Sequence, residues 1–351
     1  MKLKKLFMLI VAFVFVVSLG SCGKKNCNNE SFKLWNNCDS LNVLTDYVED
    51  VTNSKSKNYI PVKDRIATFD MDGTLCGELF PTYLEYLLCA YRVLDDDTCN
   101  PTDEMIEVAE QIREGAKTNT FPSDMPLKHA QTQAKAFSGM TIPEFDSYVK
   151  NFLKMNADGF SNLTYENSFY KPMLEVLAYL QENDFKTYIV SGSDRFICRS
   201  CACDICNIPE NQIIGMDIKL EASNQNGEDG LNYVFDLEND KVIRTDQLLI
   251  KNLKMNKVSQ IAQEIGKEPV LSFGNSSGDT SMHNYALSNP NHKAEAFMLI
   301  ANDEVRDYGS EEKGDSLGEK WEKAGYNVIS MRDDFKTIYG YDIVKTKFSW
   351  Q

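Results

Sequence analysis

The sequence feature that most constrains the fold is the stretch Ile66-Ala67-Thr68-Phe69-Asp70-Met71-Asp72-Gly73-Thr74-Leu75. An apolar, β-branched run ends in two carboxylates two residues apart, followed by a glycine and a hydroxyl. Two unpaired carboxylates at the end of a buried strand repel each other and lose hydration. At the carboxyl end of a strand in an open parallel sheet, however, ligands bind. The stretch therefore indicates a ligand site that holds a cation. The alternative is an acidic turn after an edge strand.

Length, composition and charge limit the class of protein. The 351 residues, 42% of them apolar and 25% charged, are typical of a folded protein with one large or two modest domains. The net charge of −15 argues against broad nucleic-acid binding, which needs clustered Lys and Arg. An anionic substrate would therefore need a metal ion or a few well-placed bases.

The N-terminus is predicted to lie outside the fold. Residues 1–21 combine lysines at positions 2, 4 and 5 with the apolar run 6–19, which is short for a membrane span. They end in Leu19-Gly20-Ser21-Cys22, which resembles the bacterial lipoprotein cleavage box. The resemblance implies cleavage before Cys22, a lipid anchor on its thiol and a location outside the cytoplasm. The alternatives are an uncleaved anchor and a plain secretory signal. Residues 22–58 are predicted to form a tether with one amphipathic helix, 41–51.

Ten cysteines raise the question of disulfides and metals. Cys27 and Cys38 flank a polar segment and would form a small staple in an oxidising compartment. Four more, at positions 198, 201, 203 and 206, lie within nine residues of one predicted helix. Four ligands so close on one helix do not converge on a tetrahedral zinc ion. Small core residues or a disulfide are therefore favoured over zinc.

Strand and helix patterns divide the rest of the chain. Residues 76–168 show helical periodicity without a convincing strand and are predicted to form a helical cap inserted after the first strand. Residues 59–75 and 169–351 alternate strands and helices, with strands at 65–70, 186–190, 213–220, 270–273, 296–300 and 326–331. A hairpin is predicted around 233–235, and Asn256 is predicted to cap a helix over 257–265. These units predict an α/β fold with a doubly wound, mostly parallel, Rossmann-like sheet.

Three predicted strands end in polar clusters, which a parallel sheet brings to one edge. The clusters are Asp70-Met71-Asp72-Gly73-Thr74, then Ser191-Gly192, and 274–279, with Lys257 opening the helix before the last. In this order they resemble the four motifs of the haloacid dehalogenase-like (HAD) hydrolase superfamily, over about residues 62–335. Lys257 is preferred to Lys251 and Lys254 because it alone opens that helix. The other two are interpreted as solvated charges.

The resemblance implies an enzyme, a phosphatase that depends on Mg²⁺. Asp70 would attack phosphorus and form an aspartyl-phosphate, and Asp72 would carry protons to the leaving oxygen and from water. Ser191 would bind phosphoryl oxygens and Lys257 would add positive charge. The implied metal ligands are Asp70, the backbone carbonyl of Asp72 and an acid of the fourth motif. There the chain has Asn275 in the first acidic position, so Asp279 is the expected ligand and the Asn275 amide oxygen assists.

The substrate side of the site is predicted to include Thr74, Gly192 and Glu78. The insertion and the Ser-Gly-Ser motif resemble the phosphoserine phosphatase-like branch, in which secreted phosphorylcholine phosphatases are a candidate relative. A choline headgroup favours aromatic faces and an acid, and the aromatics at 80, 83 and 86 with the acids at 78 and 85 offer both. The alternative is that these aromatics pack the cap helix into its own core.

The expected reaction is hydrolysis of a small phosphomonoester by a lipid-anchored enzyme. Dehalogenases lack the second acid, Asp72, and the ATP-driven pumps of the superfamily need transmembrane bundles that the sequence after residue 20 does not supply. A phosphotransferase or mutase of the same fold remains an alternative, although a secreted enzyme meets abundant water. A lipid-anchored, non-catalytic binding protein is a further alternative, with Asn275 as its only support.

Overall fold

The structure, a computed structural model, describes residues 31–79 and 81–348. Its strands, in chain order, are β1 (Ile66–Phe69), β2 (Phe160–Ser161), β3 (Lys186–Asp194), β4 (Ile213–Ala222), β5 (Val242–Ile250), β6 (Leu271–Gly274), β7 (Glu295–Ile300), β8 (Asn327–Ser330) and β9 (Val344–Lys345). Its helices are α1 (Asp39–Thr52), α2 (Leu84–Leu94), α3 (Asp103–Thr118), α4 (Met125–Ala136), α5 (Ile142–Leu153), α6 (Lys171–Glu182), α7 (Arg195–Cys206), α8 (Met255–Glu264), α9 (Thr280–Leu287), α10 (Glu311–Lys323) and α11 (Met331–Asp334).

Seven strands form one sheet in the order β5-β4-β3-β1-β6-β7-β8. All neighbouring strands are parallel except β4 and β5, which pair antiparallel. The chain leaves β1 toward β3 on one side and later returns to β6 on the other side. In such an open sheet the carboxyl ends of the strands at this reversal form a crevice. The predicted α/β fold with a mostly parallel, doubly wound sheet is confirmed.

The first strand lies in the middle of the sheet because its residues are apolar or small on both faces. All four residues of β1 are buried. At its carboxyl end the ring of Phe69 stacks on Phe273 of β6 at 4.4 Å between centroids, and Phe273 stacks on Phe297 of β7 at 4.9 Å. These aromatic pairs add to the hydrophobic effect of burial. They fix the strand ends directly below the polar residues that follow β1 and β6.

A block of four helices, α2 to α5, occupies most of the stretch predicted as a helical cap. Helix α5 begins with a capping box, in which Thr141 and Glu144 exchange side-chain and backbone hydrogen bonds, an arrangement that satisfies amide groups left free at a helix start. The prediction that no strand interrupts residues 76–168 was wrong at one place. The two-residue strand β2 pairs with β9, and so short a strand has no detectable period in sequence.

The N-terminal helix packs against the body of the protein, as the amphipathic pattern over 41–51 predicts. Helix α1 buries Leu44, Val48 and Val51, and the Tyr47 hydroxyl donates to the carbonyl oxygens of Val270 and Lys293. Cys22, Cys27 and the proposed signal segment lie outside the described residues. Within the described part of the chain, no helix combines the length and apolarity that crossing a membrane requires.

The hairpin after β4 is formed by β5, not by the segment around 233–235. Strand β5 is difficult to recognise in the sequence because a charged residue faces inward and an apolar residue faces outward. Arg244 points inward and is fully buried, whereas Leu249 is 58% exposed. The Arg244 guanidinium is held by Asp194 at 2.6 Å and lies over the Phe145 ring. Pairing and stacking of this kind make a buried cation tolerable.

Two local predictions have clear outcomes in the described structure. Helix α8 begins at Met255, so Asn256 lies inside the helix and does not cap it; its Nδ2 donates to the Lys251 carbonyl oxygen instead. The cysteine-rich stretch forms α7, where Cys198, Cys201 and Cys206 are buried and Cys203 is partly buried, all as free thiols. Their burial as free thiols agrees with the prediction of small core residues and not with a disulfide.

Candidate active site

Three side chains from separate parts of the chain meet at the carboxyl ends of β1 and β6. The Lys257 ammonium group, on the first turn of α8, donates to Asp70 Oδ1 at 2.6 Å and to Asp279 Oδ1 at 2.7 Å. Lys257 is fully buried. This contact explains why α8 carries a lysine on its inward face, since a buried ammonium group requires charged partners. The preference for Lys257 over its neighbours agrees with this geometry.

Burial and neighbouring charges shift the pKa values of these three groups in different ways. Burial raises the pKa of Asp70 well above its usual value, and the neighbouring charge of Asp279 adds to the rise although Lys257 opposes it. Burial acts on Asp279 in the same direction, but the attraction of Lys257 prevails and the pKa of Asp279 is lowered. The pKa of Lys257 is raised because the two carboxylates outweigh the effect of burial. Two buried carboxyl groups therefore share one lysine.

The second acid of the opening stretch has a different environment. Asp72 is buried, and its Oδ2 accepts a hydrogen bond of 2.7 Å from the Ser193 hydroxyl. Burial raises the pKa of Asp72 to about 6, although the hydrogen bond from Ser193 opposes the shift. A carboxyl group that changes protonation near neutral pH suits proton transfer. Asp70 and Asp72 therefore differ in charge partners as well as in position.

A tight turn follows the two acids. Gly73 has φ of +77°, and a Cβ atom there would lie 2.0 Å from Asn275 Nδ2 and 2.1 Å from Glu78 Oε2. The Asn275 amide donates directly to Glu78 Oε2. Glycine is needed at this position because the conformation is left-handed and the space of a side chain is already filled.

Replacing Gly73 with alanine is expected to lower the free energy of unfolding by clearly more than the same change at Gly139. Gly139 has φ of +85° with no atom within 4 Å of an added Cβ, so its alanine variant carries backbone strain alone, about 1–2 kcal/mol. At Gly73 the clash with Asn275 adds to that strain. Chemical unfolding of both variants measures the difference. Equal losses at the two sites would contradict the close packing of the turn.

The other predicted site residues are placed as follows. Gly192 and Glu78 line the pocket above Asp70. Ser191 is fully buried below it, and its Oγ accepts the Ser193 backbone N–H at 3.0 Å. The Thr74 hydroxyl is buried and finds no hydrogen-bond partner among the described residues. The predicted roles of these four residues stay predictions.

The two candidate ligands of the fourth motif differ in their contacts. Asp279 Oδ1 accepts from Lys257, and Asp279 Oδ2 accepts from the backbone N–H groups of Asn275 and Ser276 at 3.1 and 3.0 Å. Asn275 donates its Nδ2 to Glu78, which makes its oxygen the free end of the amide. Within the described residues no three Asp, Glu, His or Cys side chains form a group that could hold a metal ion. Both carboxylate oxygens of Asp279 thus accept hydrogen bonds, and the prediction of Asp279 as metal ligand, assisted by the Asn275 amide oxygen, stays a prediction.

The acids open into a pocket with an empty volume of about 510 Å³, including its solvent-open part. Besides the residues above, it is lined by Tyr83, Glu85, Tyr86, Pro126, Lys251, Leu253 and Ser276. Tyr83 and Tyr86 line the pocket, and their rings also pack on each other at 5.0 Å. Their role toward a choline headgroup stays a prediction. Burial raises the pKa of Glu78 to about 7. Phe80 lies outside the described residues.

The interpretation of Lys251 as a solvated charge was wrong. Its ammonium group lies 2.7 Å from Glu85 Oε1 of the cap, and its side chain is only 13% exposed. The backbone N–H of Asp194 donates to the other oxygen of Glu85. Burial alone would raise the pKa of Glu85, but Lys251 reverses the effect and lowers it. This buried ion pair connects the cap to the core beside the pocket.

A short segment, Lys251–Lys254, seals one side of the pocket. Asn252 Nδ2 donates to the Ser191 carbonyl oxygen at 2.9 Å, and the Lys254 N–H donates to Gly278 at 2.9 Å. The Leu253 side chain packs closely on Gly192, since a Cβ atom added to Gly192 would lie only 2.7 Å from Leu253 Cδ2. The segment thus joins the carboxyl-terminal part of β3 to the turn after β6. The sequence alone did not identify this segment or Ser193 as part of the site. The only indication was their position next to the predicted motif residues.

The chain matches no protein-family model and no curated protein. Among solved structures it is similar to a conserved protein of unknown function from Anaerococcus prevotii, with a TM-score of 0.51, 15% identity and coverage of 86% of this chain and 94% of that one. It is also similar to a cytosolic 5'-nucleotidase IIIB bound to cytidine, with a TM-score of 0.47, 11% identity and coverage of 83% of this chain and 85% of that one. For a phosphoserine phosphohydrolase-like protein from Francisella tularensis the TM-score is 0.41 and the identity 14%, with coverage of 76% of this chain and 94% of that one. Likeness at such low identity shows the fold alone.

Proposed function

We propose that the protein is a phosphomonoesterase of the HAD type, which transfers the phosphoryl group of a small ester to Asp70 and then to water. The observation that carries the proposal is that Asp70 and Asp72 line one pocket at the carboxyl edge of the sheet, with the buried Lys257 ammonium group 2.6 Å from Asp70. A carboxylate nucleophile with a separate proton carrier two residues away fits covalent phosphoryl transfer. The same pair serves no evident purpose in the fold itself.

In the first step Asp70 Oδ2, the oxygen that Lys257 does not engage, attacks phosphorus. The bond from phosphorus to the ester oxygen breaks, and Asp72 gives its proton to that oxygen, so that an alcohol leaves. Lys257 holds Asp70 Oδ1 at 2.6 Å and offsets negative charge as it moves from the carboxylate to the phosphoryl group. Fixed charges of this kind stabilise a transition state because they need no reorganisation.

In the second step Asp72, now ionised, takes a proton from a water molecule as that water attacks the phosphorus atom of the aspartyl-phosphate. The bond between Asp70 and phosphorus breaks, and inorganic phosphate is released. Gly192 lines the pocket, and its backbone, together with the Ser191 hydroxyl below it, would bind the phosphoryl oxygens. Dividing the reaction into two displacements allows one acid, Asp72, to serve as acid and then as base.

The pocket fits a Mg²⁺ ion through the chemistry of its donors, which are oxygen atoms throughout. Asp70, the backbone carbonyl of Asp72 and Asp279, assisted by the amide oxygen of Asn275, would hold it, and Mg²⁺ commonly keeps water in its remaining positions. When bound, the ion would supply positive charge to the phosphoryl oxygens and to the two acids. Burial disfavours the charged form of Asp70 and raises its pKa, and a bound cation would oppose that effect.

The substrate in this proposal is a small phosphorylated metabolite, because cap residues such as Tyr86 and Pro126 line the pocket and its empty volume of about 510 Å³ fits a small ester. The protein acts outside the cytoplasm, anchored by lipid on Cys22 after removal of residues 1–21. The support for this location is the sequence of the N-terminal segment alone. No nucleic acid is a substrate, as the net charge of −15 indicates.

The test is phosphate release by purified residues 23–351 from a panel of small phosphomonoesters, with Mg²⁺ and with chelator. We expect turnover of at least one ester with Mg²⁺ and a loss of about 100-fold or more with chelator, because a catalytic metal supplies several kcal/mol of charge stabilisation. Re-addition of Mg²⁺ to the chelated sample is the control and should restore the rate. The proposal fails if no ester is hydrolysed under any condition.

A further inference from the structure

The hydroxyl group of Ser193 is the closest hydrogen-bonding partner of the proposed proton carrier. Its Oγ lies 2.7 Å from Asp72 Oδ2, and both side chains are buried and line the pocket. Among the described residues, the hydrogen-bond donor found for Asp72 Oδ1 is the weak Sγ of Cys76, at 3.9 Å. The carboxyl group is thus held by one strong hydrogen bond, on one of its two oxygens.

The backbone fixes Ser193 in turn. Its N–H donates to Ser191 Oγ at 3.0 Å, and it lies in the last part of β3, where the strand register shifts between Val190 and Asp194. The next residue, Asp194, is held by the buried Arg244 and donates its N–H to Glu85. Ser193 therefore has little freedom to turn away, and the position of its hydroxyl is set by the core.

We infer that Ser193 is a positioning residue that orients the Asp72 carboxyl group for proton transfer. A serine hydroxyl carries one proton. When it donates to Oδ2, that oxygen is the acceptor, and the proton that Asp72 carries resides on Oδ1. Ser193 thereby stops rotation of the carboxyl group and selects the oxygen that delivers the proton. The inference rests on the proposed function, because it assigns Asp72 a proton to deliver.

A proton carrier matters only when the leaving oxygen needs a proton. An alkyl phosphate releases a strongly basic alkoxide, so its hydrolysis depends on the acid, whereas p-nitrophenyl phosphate releases a stable anion without help. The value of kcat/KM reports the steps up to release of the leaving group. A change that affects proton delivery alone will therefore lower kcat/KM for the alkyl ester selectively.

The experiment compares Ser193→Ala with the wild-type chain on an alkyl phosphate and on p-nitrophenyl phosphate. We expect kcat/KM to fall about tenfold or more for the alkyl ester, within the range attributed to acid catalysis, and by less than about threefold for the nitrophenyl ester. Ser193→Thr keeps a hydroxyl group and should recover part of the lost kcat/KM for the alkyl ester. If the threonine methyl group does not fit, Ser193→Cys provides the comparison instead, because it is similar in size to serine and has a weaker hydrogen-bond donor.

The matched control is Ser200→Ala, which removes a Ser–Asp hydrogen bond of the same length, 2.7 Å to Asp146, outside the pocket. It should leave both rates unchanged. Equal losses on the two esters for Ser193→Ala, or no loss, would overturn the inference while the phosphatase function stands. The alkyl ester is one that the wild-type chain hydrolyses in the panel; if a folded, Mg²⁺-binding sample hydrolyses no ester of that panel, the proposed function fails and this inference fails with it.

Discussion

Asp70→Asn is expected to reduce phosphate release by on the order of 10³-fold or more, the scale seen when a covalent nucleophile is removed. The amide oxygen of asparagine is a far weaker nucleophile than a carboxylate, so the first displacement fails. Stability should be kept or improved. Asp70 is a buried carboxyl group whose pKa is raised by burial and by Asp279, and a neutral side chain of the same shape relieves that repulsion. Rates and thermal unfolding are measured on the same preparation.

The control for this variant is Asp124→Asn, at an exposed position where the carboxylate pairs with Lys128 at 3.0 Å. It should change neither the rate nor the unfolding temperature appreciably, since exposed pairs contribute little. If Asp70→Asn retained turnover close to that of the wild-type chain, the assignment of Asp70 as the nucleophile would be wrong. If it unfolded instead, the loss of activity would not speak to mechanism.

Lys257→Met is expected to have the largest effect on stability. The ammonium group is the shared partner of Asp70 and Asp279, at 2.6 and 2.7 Å, and methionine leaves the two buried carboxyl groups facing each other. Removing one partner of a buried ion pair costs about 3–5 kcal/mol. The free energy of unfolding measured by denaturant should fall by about that amount. Activity should fall as well, because the positive charge next to Asp70 is lost.

A surface pair of equal length provides the comparison. Lys267 lies 2.6 Å from Asp64 with a side chain that is 45% exposed, so Lys267→Met should cost at most about 1 kcal/mol. Adding Asp279→Asn to Lys257→Met should recover part of the lost stability, since one of the two carboxylates is then neutral. Similar losses at positions 257 and 267, or no recovery in the double variant, would show that the buried cluster is not held by charge as described.

The centre of the fold and half of the site are readable from the sequence because they obey simple local rules. A β-branched run that ends in two acids predicts β1 and its exposed carboxyl end, and the structure places Asp70 and Asp72 there in the pocket. Lys257 is identified because it opens an amphipathic helix. The contact of its ammonium group with Asp70 at 2.6 Å shows that this side chain is buried against an acid rather than solvated, and its catalytic role stays a prediction.

The remaining part of the site depends on contacts between residues far apart in sequence. Strand β5 escapes detection because its inward residue is a charged arginine, which only the buried partner Asp194 makes acceptable. The position of β5 in turn delivers Lys251 to Glu85 of the cap. Lys251 therefore looked like a solvated lysine. Ser193 and Asp72, 121 positions apart, form a pair that no local pattern reveals.

The central claim is that Asp70 becomes phosphorylated during turnover. The most direct measurement is rapid acid quenching of the chain during hydrolysis of p-nitrophenyl phosphate with Mg²⁺, followed by mass spectrometry of the peptide that contains Asp70. We predict one added phosphoryl group on Asp70, removed by hydroxylamine as an acyl phosphate should be, and no such group in Asp70→Asn. Rapid turnover with Asp70 unmodified, or with the phosphoryl group on another residue, would contradict the account.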